Sequence, residues 1–402
     1  MISYTYLLIP LILFFMGVEY LFALKFKKKG VFKFESSVSN LSVGIWERFC
    51  YLFSSALFYE IFVWTHENLA LFSIPSHWLS WVILLMATDF VWYWYHRLGH
   101  EVNLFWAAHV VHHQSEEFNL TAAARITLLQ SLVRTVFWCA LPVLGYSPDM
   151  VVSILLIHGG YSFFTHTQMI GKLGWLEYIF ITPSHHRVHH ASNPEYLDKN
   201  YGDIFVFWDK MFGTFKVETL PVTYGLVKPL DSYSFLWGHF HFSIDLWLAL
   251  KREPSYLKKL QLLFSKPETL DADFGEESRN TFGIIKSSDP HTWASKVYVV
   301  IQLVLLLGGL VSVTKFYSGL SAGIIWLLGT IIFVSLINVC AILEQKRWVY
   351  YLEHFRLFVL GLLAIELDYV DLSIFFVGIL ALLIVLSLPV KDVYREIILG
   401  KK

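Results

Sequence analysis

Apolar positions in this chain fall in long runs, not in the alternation of a half-buried strand or the narrow stripe of an amphipathic helix. A helix needs roughly 20 apolar residues to cross hydrocarbon. Residues 4–24 form such a run, broken only by Glu19 and followed at once by Lys25, Lys27, Lys28 and Lys29. The run lacks the positive n-region and small-residue cleavage site of a signal peptide, so a retained anchor is expected. Further spans are expected at 46–64, 78–95, 127–146, 150–170, 293–313 and 320–342, with a final pair within 355–390. The predicted fold is all-α, a polytopic membrane helical bundle.

Loop charges orient it. With Lys25 to Lys29 in the cytoplasm and one crossing per span, 65–76 falls outside and contains no Lys or Arg. The basic stretches 172–286, 346–347 and 391–402 then all fall inside. Arg134, within the fourth span, and Glu60, near the end of the second, must snorkel or face the bundle interior. Residues 171–290 form the long stretch without a span. There, Lys251, Arg252, Lys258 and Lys259 beside Leu260, Leu262, Leu263 and Phe264 read either as a helix in the membrane interface or as a solvated face. Residues 268–280 are acidic and read as a surface loop.

Composition narrows the chemistry. Only 16% of residues are charged and 56% are hydrophobic, against roughly 25% charged in soluble domains. The 31 basic and 32 acidic residues nearly cancel, which leaves no field for nucleic acid. Cys50, Cys139 and Cys340 stand singly in apolar segments, so neither a disulfide framework nor a thiolate metal site is expected. The chain does hold 17 histidines, 11 of them between His96 and His190.

Three clusters stand out: His96 and His100 in HRLGH, His109, His112 and His113 in HVVHH, and His185, His186, His189 and His190 in HHRVHH. Residues three and four apart share a helix face. His96 with His100, His109 with His112 and His113, and His186 with His189 and His190 can therefore each aim at one centre. Eight imidazoles exceed the four ligands of a structural zinc site, and imidazole suits iron, zinc, copper and nickel alike. A dinuclear site is the economical reading, placed on the cytoplasmic side where the third span ends. His166 ends the fifth span on that side and is a ninth candidate. His158, two turns earlier, reads as packed, and His66, His77, His291 and His354 as hydrogen-bonded core residues. His239 and His241 alternate with Phe240 and Phe242 and read as an interfacial patch. Asp89 lies seven residues before His96 on the same face, where an acceptor for an imidazole N–H is its natural role. Glu101 follows His100 and points away from the ligand face; it is either a solvated helix end or a carboxylate on the substrate side. A nitrogen-rich dinuclear site in a membrane, without thiolates, points to iron activating O2 against lipid C–H bonds.

The three histidine motifs resemble those of the fatty acid hydroxylase and sterol desaturase superfamily. The wording around them, WYWYHRLGHEVNLFWAAHVVHHQSEEFNLTAAAR at 92–125, TPSHHRVHH at 182–190, DKNYGD at 198–203, WDKMFGTF at 208–215 and YGLVKPL at 224–230, is similar to its tetrahydrobiopterin-dependent ether-lipid monooxygenase branch. The resemblance implies two iron ions held by His96, His100, His109, His112, His113, His166, His186, His189 and His190, with His185 a tenth candidate. It implies a functional carboxylate at Glu101, and pterin or substrate contact at Asn200 and Tyr201. It divides the chain into N-terminal transmembrane helices (1–77), a hydroxylase-type catalytic region (78–290) and C-terminal transmembrane helices (291–402). It also implies an ether lipid and O2 as substrates, tetrahydrobiopterin as reductant, and a reductase or pterin-recycling partner. The host would be a plasma (inner) membrane in a bacterium or the endoplasmic reticulum in a eukaryote. Two rivals stay open: a sterol, carotenoid or fatty acyl hydroxylase or desaturase with a separate electron donor, and a metal transporter or storage protein.

Overall fold

A computed structural model describes residues 5–270, 272–284, 291–385 and 387–400. Tyr4 of the first expected span, residues 285–290 of the long central stretch, and Lys401 and Lys402 of the basic tail lie outside the described residues. The regular structure of the described residues is helical, and their β contacts are two isolated bridges, Phe180 with Phe205 and Ala191 with Tyr224.

The chain opens with α1 (Thr5–Lys25), α2 (Phe34–Leu69) and α3 (Trp78–Glu101), then the short α4 (Asn103–His109), which tightens into a 3-10 turn over Val110–Gln114. Next come α5 (Leu128–Trp138), α6 (Ala140–Leu144) and α7 (Pro148–Thr165). The loop-rich centre holds α8 (Pro183–His189) and α9 (Phe207–Met211), followed by α10 (Phe235–Arg252), α11 (Tyr256–Phe264) and α12 (Ala272–Phe282). The chain closes with α13 (Trp293–Phe316), α14 (Ala322–Leu343), α15 (Val349–Glu366), α16 (Val370–Val385) and α17 (Ser387–Leu399).

Among the described residues, three helical stretches are long and apolar enough to cross a membrane by length and composition alone: 6–25, 293–319 and α14. The other expected spans are also helical but differ in detail. The second lies inside the 36-residue α2, whose first turns bury Ser36, Asn40 and Ser42 against protein. The fourth divides at Cys139. There Pro142 sits in the first turn of α6, where its missing N–H is not needed, and Gly145, at φ +106, reverses the chain against the carbonyl of Phe72.

Two apolar cores flank the histidine region. One joins α2 to α13 and α14 through Val38, Ile45, Phe49, Leu303, Leu310 and Leu336, so residues from the first and last thirds of the chain share one interior. The other joins α3, α6 and α7 through Leu84, Leu141, Val151 and Ile154. A third, smaller core places Val43 and Phe242 beneath Ala107, Val110 and Val111. α11 rests Leu262 and Leu263 on this third core while Tyr256, Leu257, Leu260 and Phe264 face outward.

α2 meets the loop after the second histidine motif at one point of closest approach. A Cβ on Gly44 would lie 2.9 Å from the Ala124 side chain and 3.0 Å from its carbonyl oxygen. Gly44→Leu is therefore expected to cost about 1–3 kcal/mol by overpacking. Gly308→Leu on α13, where a Cβ meets nothing within 4 Å, serves as the neutral control. Thermal unfolding of the two purified variants in detergent measures the difference.

Candidate metal centre

The three motifs converge, and they do so as two groups. His96, His100, His109, His113 and His189 form one; His112, His166, His186 and His190 form the other, each set with its ligand atoms within 4.8 Å of one another. The split runs through the motifs, which corrects the expectation that each motif aims at one centre: residues three and four apart share a helix face, and how the helices are turned against one another decides which group each histidine joins. The i, i+4 pairs His96/His100, His109/His113 and His186/His190 each remain together, while the i+3 members His112 and His189 turn to the other group. The groups share a wall, with the His113 and His190 rings stacked at 4.3 Å.

The ring nitrogens are oriented by the backbone. His96 Nδ1 lies 2.8 Å from the Tyr201 carbonyl, His166 Nδ1 2.8 Å from that of Ser162, His189 Nδ1 3.0 Å from that of Lys199 and His112 Nδ1 3.3 Å from that of Arg125. A carbonyl only accepts, so each Nδ1 carries the proton and each Nε2 presents a lone pair. Yet His166 Nε2 lies 3.1 Å from His112 Nε2 and 3.0 Å from His186 Nε2. Between His166 and His112 no hydrogen is left to bridge the nitrogens. Two ligands about 2.0–2.1 Å from one cation stand at such a separation, so the donor set fits a metal ion in each group. Nδ1 bonding of this kind is also how metal-bound imidazoles are held. Burial keeps His109, His112, His113, His186, His189 and His190 well below the ordinary histidine value, hence neutral and ready to ligate.

His185 stands apart from both groups. It occupies the third position of α8, where its Nδ1 accepts the Thr182 amide in a capping box and its ring packs on Phe215. Burial lowers its pKa, which keeps that acceptor available. Asp89 meets none of the nine converging imidazoles and stands instead with His158 and Asp203 in a separate buried cluster whose ligand atoms lie within 4.8 Å of one another. It accepts the amides of Ile204 and Phe205 and the indole N–H of Trp208, with His158 3.9 Å away. His158 is bonded to Asp203 at 2.6 Å and stacked on Trp92. Glu101 pairs with Arg97 at 3.0 Å, both about a quarter exposed. Asn200 spends its side chain on backbone, donating to the carbonyls of His185 and Lys216 and accepting the Lys216 amide. Tyr201 lays its ring 5.3 Å from His100 and 5.9 Å from His96 and His189, and burial pushes its phenol up, so it stays protonated.

Sequence reasoning missed the residues that hold this loop. Asp209 accepts the amides of Tyr201 and Gly202 and the Thr214 hydroxyl, fixing the carbonyl that orients His96. Asp198 and Asn200, at φ 57 and 55, take left-handed conformations around Lys199, a strain that Asp and Asn tolerate best. Arg125 is buried and binds the Val111 carbonyl, Ser39, Asn40 and Gln114, tying α2 to the second motif. Asp198 to Asp203 and Asp209 lie in the DKNYGD and WDKMFGTF phrases, a signal of place without a signal of role. A cavity of about 80 Å³ touches both groups through His96, His109, His112, His166 and His186; its remaining wall is largely apolar, with Trp92, Tyr95, Ile126 and Phe163, and carries Gln130, Arg134 and Asp203 as polar members.

Paired all-histidine pockets opening on an apolar cavity, in a chain with membrane-length helices, define an oxidoreductase of the membrane hydroxylase class. Residues 81–214, which contain all nine converging histidines, match the fatty acid hydroxylase family. Alkylglycerol monooxygenase from Homo sapiens is 32% identical over 313 residues, 74% of this chain and 68% of that protein. Its counterpart from Danio rerio is 31% identical over 340 residues, 82% and 75% of the two chains. The Xenopus tropicalis protein is 34% identical over 238 residues, 58% and 53%. The chain belongs to the alkylglycerol monooxygenase family and is a membrane lipid monooxygenase. No solved structure matches it.

Two outcomes follow from the site. The lowered pKa values mean that the unfolded chain takes up protons below the ordinary value of 6.5 that the folded, metal-free site refuses. The apoprotein is expected to keep its full stability above that pH and to lose it progressively below; melting temperature against pH reads this directly. Asp209→Asn places a donor against two amides, loosening the Tyr201 carbonyl behind His96, and is expected to weaken one of two metal sites about 10–100-fold, measured by anaerobic metal titration.

Proposed function

We propose that this protein cleaves the ether bond of alkylglycerol lipids with O2, using tetrahydrobiopterin as reductant. The observation that carries the reading is the apolar cavity against both histidine groups, in a chain related to alkylglycerol monooxygenases. Two iron ions, one in each group, would supply the activation of O2. The nine histidines bind them, and Trp92, Tyr95 and Phe163 exclude water and hold the alkyl segment beside them. Insertion of one oxygen atom converts R–CH2–O–R′ to R–CH(OH)–O–R′. The second atom leaves as water, with two electrons and two protons from the reduced pterin. The new hydroxyl proton then passes to the ether oxygen as its C–O bond breaks, giving a fatty aldehyde and the glycerol moiety. The cofactor carries the electrons and the protein positions the carbon.

Gly159 lines the cavity and is exposed, with open space where a side chain would begin, which suits lateral entry of a chain from the bilayer. We assign Glu101, partly exposed at the end of α3, to the side from which substrate or reductant approaches. Tyr201 stands against the first group on the protein side, and Asn200 serves by holding its loop. The three-part division at 77/78 and 290/291 belongs to this reading, as do histidines on the cytoplasmic side. So does residence in the plasma membrane of a bacterium or the endoplasmic reticulum of a eukaryote, where a pterin-recycling enzyme renews the reductant.

The test uses full-length protein purified anaerobically, assayed for iron and for fatty aldehyde from an alkylglycerol with O2, with and without tetrahydrobiopterin. Two irons per chain and pterin-dependent aldehyde are expected. His113→Ala is expected to abolish turnover, whereas His185→Ala is expected to keep two irons. Iron without pterin-dependent aldehyde would overturn the ether-cleaving reading in favour of a hydroxylase or desaturase fed by a separate electron donor.

A further inference from the structure

Glu19 is the one acidic residue in the most N-terminal apolar run, a position where an ionisable group is costly and calls for a partner. On α1, Met16, Glu19 and Ala23 form the buried stripe at i, i+3 and i+7, while Leu11, Phe14 and Leu21 face outward. Among the described residues the Glu19 carboxylate pairs with no cation. One oxygen accepts the amide of Leu120 at 2.7 Å and the other accepts the Thr167 hydroxyl.

Both partners belong to segments that shape the second histidine group. Thr167 follows His166 directly. Leu120 sits two residues after Phe118, whose ring stacks on His166 at 5.5 Å and packs on His190 at 5.1 Å. The same loop runs on to Arg125, whose carbonyl faces His112 Nδ1. Gln168 ties the two segments together by donating to the Phe118 carbonyl, and Phe15 of α1 packs against Phe164 just before them. The carbonyls that orient the first group come instead from Tyr201 and Lys199, which Glu19 does not touch.

We infer that Glu19 is a positioning residue for the metal pocket of His112, His166, His186 and His190, so that the first membrane helix is a working part of the metal centre and not only an anchor. This rests on the two-metal reading of the histidines and is independent of the lipid oxidised. The carboxylate holds two segments at the separation that leaves the His112 and His166 lone pairs facing one centre. Without it, the link between the His166 and Phe118 segments is left to Gln168 and loosens, while the first pocket keeps its supports.

The experiment is anaerobic Fe(II) titration of full-length metal-free protein in lipid nanodiscs, with Mössbauer spectra of the loaded samples. Wild type is expected to take two ions. Glu19→Ala is expected to keep one at wild-type affinity and to bind the second about 10–100-fold more weakly. Glu19→Gln, which still offers an oxygen to the Leu120 amide, is expected to recover most of that loss. Thr167→Val, outside the helix, removes the hydroxyl that donates to Glu19 and with it the acceptor of the Met169 amide, and is expected to weaken the same second ion, whereas Thr167→Ser, which keeps both contacts, is expected to bind it as wild type does; this pair decides the matter if Glu19→Ala does not fold. Unchanged binding of both ions in Glu19→Ala or in Thr167→Val, or equal loss of both, overturns the inference. A wild type that binds a single ion overturns the two-metal reading itself, and this inference with it.

Discussion

Lone pairs facing one another in a buried interior are the constraint on which this structure turns. With Nδ1 of His112 and His166 committed to backbone carbonyls, their Nε2 atoms stand 3.1 Å apart. Burial disfavours relief of that repulsion by protonation. A cation in each group would relieve it, and metal binding would then offset a local cost of bringing the motifs together, coupling metal content to folding.

The polar residues around the histidines are arranged to keep that geometry, and the buried carboxylates that do so sit one layer out from the ring nitrogens. Asp209 gathers amides that fix the Tyr201 carbonyl. Asp89 gathers amides of the same loop from the opposite side. Glu19 joins the segments behind the second group. Each carboxylate is satisfied by N–H or O–H donors and touches none of the nine converging rings. Nine neutral imidazoles would leave the charge of metal ions held there uncompensated by their ligands, a setting that favours anionic partners.

The same arrangement explains why an enzyme region in the middle of the chain depends on its ends. α2 reaches the second motif through Asn40, Ser39 and Arg125, and its opposite face is buried by α13 and α14. α1 reaches it through Glu19. The match to the hydroxylase family spans 81–214, but side chains that hold the segments around its histidines, Glu19 and Asn40 among them, come from outside those limits.

Run length and spacing along the chain sufficed for much of this. Apolar runs near the thickness of a bilayer specify helices, and histidines four apart specify shared faces, because both are properties of a single helix and need no neighbour. The ligands His96, His100, His109, His113, His186 and His190 were legible in that way. Which group each histidine joins was not, since His112 and His189 are assigned by how their helices are turned against others. Nor was the separation of His185, which a capping box takes, or the use of Asp89 on a loop 115 residues further along. Glu19 and Thr167 are 148 residues apart, and nothing local to either announces the other. The sequence by itself determined a helical membrane protein with a histidine-borne metal site. Only the tertiary structure decided how those histidines divide and what holds them, because hydrogen bonds between distant segments have no period along the chain.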